Sequence, residues 1–204
     1  DTLAAGALLR PGGPPESLLM LGLAGGTTLR ILRHLLPACR FTAVDIDDEL
    51  VALARQHMHL DDLQADVHSA DAYKWASGCR ERFDVVIDDC YLAGDDDVFR
   101  PQRNPGEGVE VFRQLLAPGG LLLANVLTGS GHGRMQSRTR AALRRNFPAI
   151  TTVTTPESET EAVVAGPEIL PASALSPWSL RFSNSKDREY WGRLDATPLA
   201  SASG

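Results

Sequence analysis

Three glycines and one acid, set at a fixed interval, make the first chemical statement of this chain. Gly22, Gly25 and Gly26 stand in the run LLMLGLAGGTT at residues 18–28, and Asp45 follows Gly22 by 23 residues in FTAVDIDDEL. The apolar run Leu18 to Leu21 giving way to glycine reads as a buried parallel strand that turns sharply into a helix. Glycine permits that turn and lets a ligand approach the backbone. The following helix, expected over residues 27–36, aims its unpaired N–H groups at the loop, and FTAVD forms a second strand ending on Asp45. A carboxylate there can accept both hydroxyls of a ribose. Together the two motifs describe a nucleoside-binding βαβ unit. They leave open whether the nucleoside belongs to a dinucleotide or to S-adenosylmethionine, since both offer an adenosine ribose to the same strand end.

The elements that must position these residues follow in order. Asp47 can cap a helix running to about His57, and DLQADVHSAD gives a short strand ending near Ala70. ERFDVVIDD supplies a fourth strand from Phe83 to Asp88. The acidic, glycine-rich stretch CYLAGDDDVFRPQRNPGEG is long enough to be a functional insert over the strand ends. A helix over 109–116, the turn Ala117-Pro118-Gly119-Gly120 and the strand LLLANVL come next, and GSGHGR opens a helix carrying RTRAALRRNF. ITTVTT and EAVVAG read as a closing pair of strands around PESE. Five β–α alternations finished by a hairpin predict an α/β, Rossmann-like fold. Its sheet is expected to be seven-stranded and mostly parallel, with an antiparallel C-terminal hairpin strand. A nicotinamide dehydrogenase more often keeps its sixth strand parallel.

Residues 1–17, with PGGPP at 11–15, read as a flexible lead-in, 18–170 as the binding domain, and 171–204 as a Pro-, Ser- and Ala-rich extension. Within the extension PWSLRF is expected to pack on the domain, KDREYWGRL to form a short helix, and ATPLASASG to be disordered.

A length of 204 residues suits one α/β domain with a full core. The net charge of −6 argues against a general nucleic-acid footprint and favours neutral or cationic small substrates. Cys39, Cys79 and Cys90 are odd in number and lack metal-ligand spacing, so a reducing, cytoplasmic setting without a bound metal is expected. No stretch approaches the ~20 apolar residues of a membrane span. Asp1 rather than Met opens the sequence, and further N-terminal residues are expected to have preceded it.

From residue 18 to 166 the chain resembles the class I S-adenosylmethionine-dependent transferases, and within them the spermidine synthase-like branch. The resemblance rests on LGLAGGTTLRIL, AVDIDDELVALA, HSADAY, FDVVIDDCY and LAPGGLLLANV. It implies that Gly22, Ala24, Gly25 and Gly26 border the methionine part of the cofactor. It implies further that Asp45, with Ile46 beside it, holds the ribose, and that Asp71 and Ala72 meet the adenine. Asp71 also reads as a helix N-cap, and the two roles can coexist. Spermidine synthases carry an Asp within the glycine loop for the amine of decarboxylated S-adenosylmethionine, and Gly25 stands at that position here. The absent acid favours the ordinary, carboxylate-bearing cofactor. The D-x-x-D signature aligns on Asp89-Cys90-Tyr91-Leu92, so its first acid is kept and its second is Leu92. Asp95, Asp96 and Asp97 are candidate replacement acids.

A sulfonium is already an activated electrophile, so the protein has to align a nucleophile and remove a proton. Asp89, at the carboxyl end of the fourth strand, is the expected base or amine anchor, with cofactor contacts as well. Asp88 beside it would raise its proton affinity, and strand alternation lets only one of the two face the site. Tyr91 is expected to line the acceptor pocket, His132 is a second base candidate, and Trp75 is expected over core or adenine. The leading expectation is methyl transfer from S-adenosyl-L-methionine to a small molecule. Aminopropyl or aminocarboxypropyl transfer to an amine, with a place in polyamine biosynthesis, is the first alternative, and a non-catalytic nucleoside-binding regulatory domain the second. A small-molecule acceptor is the expected partner, a homodimer is an assembly open to it, and neither nucleic acid nor membrane is expected.

Overall fold

The computed structural model describes residues 2–94, 98–100 and 106–200. The chain begins with α1, Thr2–Ala7, every residue of which is buried. Strand β1, Ser17–Leu21, is buried throughout and leads through the glycine loop into α2, Thr27–Leu35. β2, Arg40–Asp45, and α3, Asp48–His57, follow, then a 3₁₀ turn at Leu60–Leu63 and β3, Ala65–Ser69. α4 spans Ala72–Gly78 and β4 Phe83–Asp88. A two-residue hairpin, β5 at Leu92–Ala93 and β6 at Val98–Phe99, lies in the long connection to α5, Gly106–Arg113. β7, Leu116–Leu127, and α6, Gly133–Asn146, complete the alternation. β8, Ala149–Thr154, β9, Thr160–Gly166, a 3₁₀ segment Ala172–Arg181, α7, Ser185–Trp191, and β10, Asp195–Pro198, close the chain.

The main sheet has eight strands in the order β10-β8-β9-β7-β4-β1-β2-β3. β3, β2, β1, β4 and β7 run parallel, whereas β9, β8 and β10 join as antiparallel neighbours. Strand order reverses between β1 and β4, because β1 leads outward to β2 and β3 while the later strands are laid down on the other side. In an open α/β sheet a crevice forms at that reversal, outside the carboxyl ends of the strands. The antiparallel β8–β9 hairpin agrees with the expected closing pair and removes the support a dehydrogenase reading would need. The β4–β7 pairing jumps from Phe83↔Leu116 to Val85↔Leu121, so Ala117-Pro118-Gly119-Gly120 bulges out of β7, with Gly119 at φ +76°.

Both ends of the chain depart from expectation. The lead-in is not loose: TLAAGALL carries one polar side chain, and a helix apolar on all faces belongs in a core. Small residues let α1 lie close against β7, β8 and β9, where a Cβ on Gly6 would stand 2.9 Å from the side chains of Leu123 and Val164. The Leu9 carbonyl then accepts from Leu170 N at 2.8 Å, tying the start of the chain to the segment after β9. At the other end β10 pairs with β8, and Leu199 N donates to the Ile150 carbonyl at 2.9 Å, so this part of ATPLASASG is ordered and the sheet gains an eighth strand. Pro198 is tolerated because β10 is an edge strand. α5 starts and ends three residues before the expected 109–116, since Leu116 is drawn into pairing with Phe83. PWSLRF and α7 behave as expected: Trp178 and Phe182 pack on the core, and Trp191 Nε1 donates to the Leu175 carbonyl at 2.9 Å. Among the described residues, no helix is long and apolar enough to cross a membrane.

If α1 and its flank are core, Leu9→Ala lowers the unfolding free energy by about 2–5 kcal/mol, read by chemical denaturation. An unstructured lead-in would leave the midpoint unmoved.

Candidate functional site

The crevice at the strand reversal is a cavity of about 460 Å³. It is bordered by the ends of β1, β2 and β4 and the starts of α3 and α4, and a ligand the size of a nucleoside fits a cavity of this volume. Its geometry starts at Gly22, which adopts φ +83°. Gly22 N donates to the Val44 carbonyl and Asp89 N to the Leu21 carbonyl, each at 2.8 Å. A Cβ on Gly22 would collide with the Asp89 carbonyl, so only glycine lets these two strand ends lie side by side.

Asp45 closes the loop over this point. Its Oδ2 accepts from Leu23 N at 2.7 Å and Ala24 N at 2.9 Å, and its Oδ1 accepts from Asp47 N at 3.0 Å. The two loop amides explain why Ala24, without glycine's freedom, is held at φ +46°. Asp47 caps α3 by accepting from Leu50 N at 2.9 Å, as its position before the helix predicts. Asp71 caps α4, with Oδ1 accepting from Tyr73 N at 2.9 Å and Lys74 N at 3.2 Å, and still borders the cavity. Both cap bonds fall on one oxygen, so capping leaves the second oxygen of Asp71 outside these two bonds.

Register brings the opposite side of the cavity together. Asp88 on β4 pairs with Ala124 on β7, so the next residues, Asp89 and Asn125, are neighbours, and Asn125 Nδ2 donates to Asp89 Oδ1 at 2.7 Å. Alternation sends Asp88 the other way: it is buried and forms an ion pair with Arg100, also buried. Asp89 faces the cavity together with Cys90, Tyr91 and Leu92. Burial pushes the Asp89 carboxyl up to about 6, against the Asn125 hydrogen bond and the Arg100 charge, which lower it. Repulsion from Asp88 and Asp45 adds less than burial does, so the expected role of Asp88 is present but secondary. Tyr91 Oη donates to the Asn125 carbonyl at 3.1 Å.

Of the residues singled out from sequence, Gly22, Ala24, Asp45, Ile46, Asp71, Ala72, Asp89 and Tyr91 all line one cavity. Gly25 and Gly26 do not. Gly26, at φ +75°, holds the N-cap position of α2 over Leu60 and Leu63, and a Cβ on Gly25 would stand 2.7 Å from the Met58 thioether, so both support the turn. His132 holds the N-cap position of α6 and is not among the residues lining the cavity, and Trp75 packs on the core with its ring 5.2 Å from that of His68. Asp95, Asp96 and Asp97 lie outside the described residues. Asn125 and Arg100 were not foreseen. Asn125 had a signal, as the one polar side chain of LLLANVL, whereas Arg100 sits in an irregular stretch where no periodicity points to it.

Four carboxylates, Asp45, Asp47, Asp71 and Asp89, line the cavity, and none of its described lining residues is Lys, Arg or His. Val44, Ile46, Leu50, Tyr73 and Leu92 supply apolar walls. The arrangement can hold a flat apolar ring, hydrogen-bond a diol and stabilise a cation, with one carboxylate of raised proton affinity at the far side.

Known proteins share this frame. Residues 18–120 match the family described as "Methyltransferase domain". A probable polyamine aminopropyl transferase of Bifidobacterium longum is 30% identical over 122 residues, 58% of this chain and 26% of that protein. The chain thus spans about a quarter of the length of that curated relative. Among solved structures, human methyltransferase-like protein 13 in complex with SAH superposes with a TM-score of 0.70 at 20% identity, covering 92% of this chain and 90% of that one. A probable spermidine synthase from Corynebacterium glutamicum gives 0.73 at 19% identity, covering 97% and 74%. The fold is the class I methyltransferase fold, with an antiparallel C-terminal part extended to β10.

A partly buried acid held at about 6 in the fold, above its ordinary 3.8, binds protons more tightly folded than unfolded. The contribution to stability is therefore greatest below the ordinary value and falls as pH rises through about 6. Asp89→Asn is expected to raise Tm at pH 7.5, with the gain shrinking as pH falls from 6 to 4. A gain independent of pH, or a loss at pH 7.5, would contradict the assigned environment.

Proposed function

The chain belongs to the methyltransferase domain family, and from that premise we propose that it transfers a methyl group from S-adenosyl-L-methionine to a small-molecule acceptor, with Asp89 as the proton acceptor. One observation carries this reading: Asp89, gripped by Asn125, faces the same cavity as the Asp45-clamped glycine loop.

The residues present fit the donor. Asp45 stands where a ribose diol would be bound, Ile46 and Ala72 flank an adenine-sized space next to Asp71, and Gly22 with Ala24 border the methionine part. A cavity lined by four carboxylates and no described cation suits a sulfonium and an ammonium group. The donor supplies a methyl group on positively charged sulfur, whose bonding pair returns to sulfur when the acceptor attacks. Asp89 takes the proton that the acceptor must lose, and its affinity near neutral pH suits a general base. Tyr91 and Leu92 wall the acceptor side.

Two departures from the spermidine synthase-like pattern favour methyl over aminopropyl transfer. The loop offers glycine at position 25, with Met58 filling the space beyond it, and Leu92 presents an apolar side chain on the acceptor side. A second reading, aminopropyl transfer, is favoured by the polyamine aminopropyl transferase relative. It would use the same cavity and the same base.

Calorimetry with S-adenosylmethionine, its decarboxylated form, S-adenosylhomocysteine and NAD separates these readings. The expected order places the carboxylate-bearing donor first, with Asp45→Asn weakening it by about tenfold or more, ~1.4 kcal/mol. Tighter binding of the decarboxylated form would transfer the assignment to aminopropyl transfer, and binding of NAD alone would remove both.

A further inference from the structure

Arg100 is a buried cation for which methyl transfer, as described, has no use. It follows β6 in the connection from β4 to α5, and its side chain and that of Asp88 are each 3% exposed. The guanidinium engages three groups at once. It pairs with Asp88, Nη1 donates to the Asn125 carbonyl and lies 3.5 Å from Tyr91 Oη, and the charge sits 5.0 Å from the centre of the Tyr91 ring. Tyr91 Oη donates to that same Asn125 carbonyl, and the Asn125 side chain holds Asp89. Every residue that fixes the acceptor side is thus one contact from this guanidinium.

We infer that Arg100 is a positioning residue for Asp89: by holding Asp88, Tyr91 and the backbone at Asn125, it fixes the carboxylate's direction and keeps the Tyr91 wall in the cavity. A planar fork is needed for this. An ammonium could satisfy Asp88 as a point charge, but not a carbonyl and an aromatic face as well. Burying a guanidinium is costly unless its partners are all in place, so the arrangement is set or lost as a unit.

The charges that face Asp89 make the role measurable. Asp45 from β2 and Asp88 from β4 raise its proton affinity, β7 contributes the neutral Asn125, and the connection to α5 contributes Arg100, the only positive group acting on it among the described residues. Cys90 and Tyr91, its neighbours in sequence, are both pushed upward by burial and stay neutral near pH 7. Losing Arg100 therefore moves Asp89 up, first by removing a positive charge and then by loosening the Asn125 hydrogen bond.

The consequence for turnover rests on the proposed methyl transfer, but the positioning itself is read without turnover. Carbon-13 carboxyl NMR would follow Asp89, assigned through Asp89→Asn, in wild type, in Arg100→Lys and in the double variant Asp88→Asn/Arg100→Met. The double variant removes the buried pair together and leaves no orphaned charge, and thermal unfolding is the check on its folding. The expected result in the double variant is loss of the hydrogen-bonded Asn125 side-chain amide signal and a raised Asp89 midpoint, because losing the Asn125 hydrogen bond and the Arg100 charge, which both lower it, outweighs losing the smaller opposing charge of Asp88. The Lys variant should show a smaller midpoint shift but the same amide loss. S-adenosylhomocysteine binding should stay within about twofold of wild type, and kcat with any acceptor found should fall by about tenfold or more. An unchanged midpoint and amide signal in a folded double variant overturn the inference. If both move while wild type turns over no acceptor, the positioning stands and the methyl-transfer reading fails.

Discussion

The whole arrangement depends on one absent atom. Because Gly22 has no Cβ, the end of β1 can lie against the Asp89 carbonyl at the end of β4, and the two strands deliver a loop and an acid to the same place. Any larger residue would have to displace the backbone that carries Asp89, at a position already left-handed at φ +83°. The crevice itself is a product of topology, since strands diverge where the order reverses. Gly22 is what makes that crevice narrow enough for groups on both walls to act on one ligand.

The two walls are held by different physics. On the wall of the glycine loop a carboxylate binds backbone: Asp45 gathers Leu23 and Ala24 N–H, so the loop is pinned by charge-assisted hydrogen bonds that need no particular side chain at those positions. This is why LA can stand where glycine would be easier, with Ala24 strained but held. On the opposite wall side chains bind one another, through an ion pair, an aromatic face and a half-buried amide at the ends of β4 and β7. Such a network contributes little net stability, because desolvation offsets most of its attraction. Its yield is direction, which is what the proposed role of Asp89 as proton acceptor requires.

How much of this was legible follows from the range of each signal. The βαβ unit, the end of β2 on Asp45, the capping role of Asp47 and the choice of Asp89 over Asp88 are local, set by spacing, alternation and caps. α1 was missed because PGGPP, a few residues on, is a strong marker of irregular chain and outweighed eight nearly apolar residues before it. β10 was missed because its stability comes from pairing with β8, some forty residues away, and not from its own Pro- and Thr-containing sequence. Gly25 and Gly26 were expected beside the cofactor from the family resemblance, whereas the direction each faces depends on Met58, Leu60 and Leu63 from the next unit. Asn125 becomes legible only once register is known, and Arg100 only in three dimensions.

Electrostatics joins the two walls on the proposed reading. Asp89 holds its proton to about 6 chiefly because it is buried, with Asp45 and Asp88 adding negative charge and one guanidinium opposing them. A sulfonium entering the same cavity brings a further positive charge, which favours the ionised carboxylate. By linkage the reverse also holds, so an ionised Asp89 strengthens the hold on a cationic donor. The product of methyl transfer is neutral at sulfur, so it loses the attraction to the four acids that the sulfonium had while keeping that of its ammonium. An acid-lined cavity thus favours the charged donor over its product, and the proton taken by Asp89 at each transfer lowers the local negative charge as that donor is consumed.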